Sequence, residues 1–186
     1  MASRRIIGVD PGLASTGWGV LDCDGGRFRH VAHGSIETRA GLPMSARLLS
    51  IMTDLRAVLD EFRPTEAAVE MLFFGRNVTS AIPVAEARGV IFATLAERGI
   101  AVGEFRPNAI KKTVTGVASA DKSQVQGMVR VVLGLAEVPR PDHAADALGV
   151  AICAASQGTW DMGSGIADRG SGAGGSGNRG KRSGNG

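Results

Sequence analysis

The sequence predicts an α/β fold, a mixed five-stranded sheet flanked by helices. Three observations carry that expectation. Short apolar runs bounded by turn residues fill the first 38 positions, which reads as strands and tight turns. From residue 43 onward, apolar residues recur at spacings of three and four, the helical period. Between residues 64 and 105 the two patterns alternate, which implies parallel strands joined by helical crossovers.

Taken in order, Arg5-Ile6-Ile7-Gly8-Val9-Asp10 reads as a short buried strand ending in a turn at Pro11-Gly12. Thr16 to Cys23 and Arg27 to Thr38 are the next two strands, joined near Asp24-Gly25-Gly26, so the chain opens as an antiparallel meander. Met44, Leu48, Ile51, Leu55, Val58, Leu59 and Phe62 line one helical face, and that helix must stop before Pro64. Ala67 to Leu72 is a buried strand, followed by a loop from Phe73 to Asn77. A helix over about Thr79 to Arg98, perturbed at Pro83 and closed by Gly99, leads into a strand over Ala101 to Phe105. Helices are predicted over Pro107 to Thr115, Asp121 to Gly134 and Pro141 to Gln157.

The chain of 186 residues carries 21 Lys+Arg against 18 Asp+Glu, a formal +3. Residues 163–186 hold four of those basic residues and one acid, leaving the preceding body balanced at 17 of each sign. They also hold 10 of the 27 glycines and almost nothing apolar, so the expectation is one domain over 1–162 and a disordered, Gly-rich basic tail over 163–186. Two cysteines make neither a disulfide framework nor a Cys-rich zinc site, which fits a reducing compartment. The longest apolar run, Ala147 to Ala155, is 9 residues, too short for a membrane span, and the expected location is cytoplasmic with no membrane partner.

Three acids fall where the core should be driest. Asp10 ends the first strand, Glu70 interrupts the apolar run Ala67 to Leu72, and Asp146 lies on a helix otherwise built from Ala, Leu, Val and Ile. An unpaired carboxylate in such a place costs several kcal/mol, so each needs a cation, a basic partner or a raised pKa. His143, three residues before Asp146, shares its helical face. Asp142, four before Asp146, is a further candidate or an N-terminal helix residue with only a capping role. Singly, each has an ordinary structural explanation: a turn Asp, a Glu paired with an Arg, a structural His. Together, two strand carboxylates and a His/Asp pair, with no thiolate, suit Mg²⁺ or Mn²⁺.

Gly8-Val9-Asp10-Pro11-Gly12 followed by Thr16-Gly17 resembles the strand, Asp and glycine hairpin of the ribonuclease H-like superfamily. That hairpin also resembles the start of actin-like ATPases and sugar kinases, which are built from two such domains. A closer resemblance lies in four motifs taken in order: Asp10-Pro11-Gly12, Val69-Glu70 with Phe73 following, Ser119 to Val125, and His143-Ala144-Ala145-Asp146-Ala147-Leu148. They occur in the order of the RuvC family of Holliday-junction resolvases, and the similarity spans nearly all of residues 1–157. The resemblance implies a metal-dependent endodeoxyribonuclease that resolves four-way DNA junctions by paired symmetric nicks, in recombination and repair, through two-metal-ion phosphodiester hydrolysis. It implies Asp10, Glu70, His143 and Asp146 as metal-binding catalytic residues, two Mg²⁺ per subunit, and Mn²⁺ as a substitute. Several family members carry Asp where this chain has His143; the neutral imidazole removes a negative charge and shifts preference toward Mn²⁺. The other readings are a ribonuclease H-like enzyme that cuts RNA in a hybrid, and a junction-binding protein without chemistry.

The resemblance also bears on DNA. Phe73 matches the family position that enters the junction and stacks on an unpaired base, Phe74 is assigned to the core, and Arg76 follows in the same loop. Lys111 and Lys122 match basic positions near the scissile strand; Lys112 and Arg106 read as ordinary solvated charges. Asp121-Lys122-Ser123-Gln124 reads as a capping-box variant, which puts Lys122 at the positive end of a helix dipole, a placement that a nearby phosphate would favour. The two-fold symmetry of the substrate implies a homodimer with an interface drawing on about Ala81 to Leu95, and a branch-migration complex (RuvA and RuvB) as partner.

Overall fold

The computed structural model describes residues 4–72 and 78–158. Phe73, Phe74, Arg76 and the Gly-rich tail lie outside the described residues. The strands are β1 (Arg4–Asp10), β2 (Ser15–Asp24), β3 (Arg27–Glu37), β4 (Glu66–Glu70) and β5 (Ala101–Phe105). The helices are α1 (Met44–Phe62), α2 (Val78–Glu97), α3 (Pro107–Thr115), α4 (Lys122–Val132) and α5 (Asp142–Ser156). One sheet holds all five strands in the order β3-β2-β1-β4-β5, with β1, β2 and β3 antiparallel and β1, β4 and β5 parallel. The α/β class, the opening meander and the parallel crossovers are those the sequence predicts.

Boundaries move by a few residues for local reasons. At α1, Arg63 takes a left-handed φ of 50° with its N–H on the Leu59 carbonyl, which ends the helix just before Pro64. The strand predicted to run to Leu72 ends at Glu70, although the Met71 N–H still reaches the Phe105 carbonyl. At α4 the Asp121 side chain accepts the Gln124 N–H while the Gln124 side chain accepts the Asp121 N–H, the reciprocal capping box. Gly134 lies beyond that helix with a φ of 62°, closing the turn that follows it.

The period-2 alternation of the strands divides the core between the two faces of the sheet. Ile7, Val9, Val20, Ala67 and Val69 pack under α1 and α2, with Ile51, Leu55, Ile91 and Leu95. Ile6, Leu21, Ala68 and Phe105 pack under α3, α4 and α5, with Ile110, Val129, Leu148 and Ile152. Helix α5 is buried from Ala144 to Ala155 except at the half-buried Asp146, and lies directly on β1 and β2. Only glycine allows that approach: a Cβ on Gly8 would sit 2.1 Å from the Ala147 carbonyl oxygen, and one on Gly17 1.9 Å from that of His143. On α2, Ala87, Ile91 and Leu95 face the core, while Ile82 is 54% exposed, so part of the segment predicted as an interface is core.

Candidate active site

The same alternation that fills the core sets the acids on one face. Asp10 follows Ile6 and Gly8 on the α5 side of β1, and Glu70 follows Ala68 on the α5 side of β4. The parallel register pairs Val9 with Val69, so Asp10 and Glu70 are the next residues of adjacent strands. Helix α5 crosses this face and brings His143 and Asp146 down from its first two turns. One ligand atom each from Asp10, His143 and Asp146 can be chosen so that all lie within 4.8 Å of one another. Asp10, Glu70 and Asp146 line one cleft with Lys111 and Lys122, against an apolar wall of Ile110, Val125 and Val150.

The electrostatics are those of carboxylates crowded in a half-dry cleft. Burial pushes the Glu70 carboxyl up to about 7, and the neighbouring negative charges of Asp10 and Asp146 push in the same direction. Burial also raises Asp146, against the opposing effect of Lys122, whose Nζ lies 3.0 Å from its carboxylate. His143 Nδ1 is 2.7 Å from Asp10 Oδ2, and that hydrogen bond raises the imidazole pKa. These donors are oxygen and one imidazole nitrogen, converging from two strands and a helix with an excess of negative charge. That set fits a hard or borderline divalent cation such as Mg²⁺ or Mn²⁺.

Lys122 has a nearer counter-charge than the phosphate considered from sequence. It pairs with Asp146 and, at 3.6 Å, with Asp142, which offsets the unfavourable helix-dipole position. Asp142, with a side chain 55% exposed, is the first residue of α5 and lies beside Lys122 and Arg140, outside the Asp10, His143 and Asp146 group. Lys112 and Arg106 are exposed and do not line the cleft. Two neighbours escaped the sequence reading. Gln126 sits beside the Asp146 carboxylate, where its amide favours the ionised acid and its Nε2 has no hydrogen-bond partner among the described residues, and Glu37, bonded to Ser15, places its charge near His143. Helical spacing from Lys122 marks Gln126 as a same-face residue, whereas nothing local marks Glu37.

The family model described as "Crossover junction endodeoxyribonuclease RuvC" matches residues 6–154. The chain belongs to the RuvC family. A RuvC of Chloroflexus aggregans is 53% identical over 149 residues, 80% of this chain and 91% of that protein. The RuvC of Treponema denticola is 51% identical over 147 residues, covering 79% and 83% of the two chains. Among solved structures, Thermus thermophilus RuvC in complex with Holliday junction substrate superposes with a TM-score of 0.76 at 34% identity, covering 81% of this chain and 92% of that one. The RuvC match includes Asp10, Glu70 and Asp146 of the cleft and His143 beside Asp10, and the mixed sheet is that of the ribonuclease H-like resolvases.

The three raised pKa values give a pH dependence of one sign. For Glu70 and Asp146 the fold favours the neutral acid, so ionising them as pH rises above their unfolded values removes stability; for Glu70 the window is about 4.5 to about 7. For His143 the fold favours the protonated ring, and that stability is lost as pH rises through its folded value. The lowered pKa values of His30 and His33 act in the opposite sense over the same range, so the contribution of the cleft is read through the cation: Mg²⁺ should raise the melting temperature by at least about 4 °C more at about pH 8 than at about pH 5.5. Thermal melts in EDTA and in Mg²⁺ at both pH values measure this; a Mg²⁺ increment independent of pH would contradict it.

Proposed function

We propose that this chain is a homodimeric, metal-dependent endodeoxyribonuclease that resolves four-way (Holliday) DNA junctions by paired symmetric nicks in recombination and repair. The observation that supports it most is the convergence of Asp10, His143 and Asp146, with Glu70 in the same cleft, in a chain matched over residues 6–154 by the RuvC family. The T. thermophilus relative, solved with a Holliday junction substrate, supports the substrate class. The nuclease domain spans residues 1–162, the tail 163–186 is an appendage to it, and the location is cytoplasmic. Among the described residues no helix is long and apolar enough to cross a membrane.

Asp10, Glu70, His143 and Asp146 hold two Mg²⁺ per subunit, with Mn²⁺ able to substitute. Bound divalent cations supply the Lewis acidity that polarises the scissile phosphate and acidifies a water. The chain's own contribution is position. Asp10 orients His143 through its Nδ1 contact, and the Ile110, Val125 and Val150 wall keeps bulk water from one side of the cleft. Lys122 exchanges its Asp146 contact for a phosphate oxygen when DNA enters, and Lys111, in the same cleft, is a second phosphate contact. Phe73 stacks on an unpaired base at the junction centre, with Arg76 beside it on the backbone. RuvA and RuvB are the branch-migration partners.

The test is incubation of the purified protein with a synthetic mobile four-way junction, a linear duplex and an RNA/DNA hybrid, each in Mg²⁺, Mn²⁺ or EDTA. Metal-dependent symmetric nicks in the junction alone are expected. Cleavage of the hybrid alone would assign a different nuclease, and binding without nicks a junction-binding protein. Phe73→Ala should lower junction cleavage while leaving the melting temperature unchanged, the lost stacking being worth ~1–3 kcal/mol. Unaltered single-turnover cleavage by that variant would remove Phe73 from the DNA contacts.

A further inference from the structure

The antiparallel pair of β2 and β3 contains a register shift. Val20 is paired with Ala32 but Leu21 with His30, so Val31 is an extra residue in the edge strand β3. In a regular strand, positions 30 and 33 would point to opposite faces. The bulge reverses the parity: His30 lies opposite Leu21 and His33 opposite Gly19, and both of those partners face α5. The two rings meet on that face, with centroids 4.9 Å apart and His30 Nε2 2.8 Å from His33 Nδ1. The Arg140 backbone, just before α5, lies near the His33 ring and opposes the lowering of its pKa by burial.

We infer that His30 and His33 form a two-imidazole site for a borderline transition ion of the Zn²⁺ class, separate from the carboxylate-rich active site. The hydrogen-bonded pair needs little change to accept one. Two nitrogens on a tetrahedral Zn²⁺ at ~2.0–2.1 Å lie ~3.3 Å apart, so the rings must part by only about half an ångström. The two remaining positions fall to water, since both side chains are only half-buried. Burial lowers the pKa of each ring, His30 being lowered further by His33, so both rings are neutral near neutral pH, and the proton shared between the facing nitrogens moves to the far nitrogen of its own ring when the ion enters. Mg²⁺ is excluded by chemistry: it takes oxygen donors and finds none here among the two rings. An ion at this pair sits on the face of β3 that lies toward α5, the helix carrying His143 and Asp146.

The experiment uses the untagged full-length protein. The chain contains three histidines, so His143→Ala leaves His30 and His33 as its only imidazoles. Electron paramagnetic resonance of that variant with one equivalent of Cu²⁺ is expected to show hyperfine splitting from two imidazole nitrogens; a spectrum with none overturns the site. Calorimetric titration of the same variant with Zn²⁺, in excess Mg²⁺ to occupy the carboxylate cleft, should give a site that His30→Gln weakens by at least about tenfold. An unchanged isotherm overturns the assignment. Should His30→Gln lower the melting temperature of the metal-free protein, His33→Gln is titrated instead, with the same two outcomes.

Discussion

Asp10→Asn should abolish junction cleavage and leave junction binding intact. The substitution keeps the shape of the side chain but removes the charge at the point where β1, β4 and α5 meet. Three consequences follow from the geometry. The Asp10, His143 and Asp146 group loses one of its two carboxylates. His143 loses the partner at 2.7 Å that orients its ring and raises its pKa. Glu70 loses a neighbouring charge that helps to keep it protonated, so its carboxyl titrates lower than the value of about 7. The expected fall in cleavage is at least about a thousandfold, equivalent to about 4 kcal/mol of activation free energy. In the proposed function binding is assigned to other residues, Lys111, Lys122 and Phe73, so a gel-shift titration in Ca²⁺ or EDTA should be within about threefold of the parent. Lost binding, with the melting temperature also reduced, would make Asp10 a structural residue.

Gly17→Ala should cost both stability and activity, by a route that involves no chemical group. Gly17 pairs with Asp10 across the β1–β2 hairpin, and the backbone of His143 rests on it. An added Cβ would lie 1.9 Å from the His143 carbonyl oxygen and 2.3 Å from its carbonyl carbon. Backbone atoms of a buried helix cannot give way as the end of a flexible side chain can. The first turn of α5 must move, taking His143 away from Asp10. We expect a stability loss of about 2–3 kcal/mol by urea denaturation. Displacement of this order at a reacting centre lowers turnover by about 10²-fold. Gly127→Ala in α4 is the control. A Cβ there meets nothing within 4 Å, and the exchange should be neutral or stabilise by about 0.5–1 kcal/mol. Equal effects of the two substitutions would show that the approach of α5 does not decide the outcome.

Two of the candidate acids, Glu70 and Asp146, are legible because each violates its local pattern. Glu70 stands in a run that otherwise reads as fully buried strand, and Asp146 on a helix with no other polar residue between Ala147 and Ala155. Helical spacing alone joins His143 to Asp146. What could not be read is how the two halves meet. His143 and Asp10 are 133 residues apart in the chain, and their contact is set by the glycine faces of β1 and β2, which fix where α5 lies. Lys122 illustrates the same limit. Its helix-dipole position was evident, but the Asp146 carboxylate that offsets it comes from another helix. Asp142 shares a helical face with Asp146 by spacing, yet it starts the helix and turns toward Lys122 and Arg140.

The +3 charge of the chain belongs to its glycine-rich end by sequence alone, and so do the strand and helix periods that made an α/β sheet the expected fold. Those are local quantities: a count, a period of 2 or of 3.6, a capping residue. The tertiary structure decided which acids share a cation-sized space, which lysine offsets them and which histidines meet. His30 and His33 are the clearest instance, since strand periodicity places them on opposite faces and one unpaired residue in the β2–β3 register places them together. Register and the approach of one element to another are set by packing between residues distant in sequence. No local pattern records them until the chain has folded.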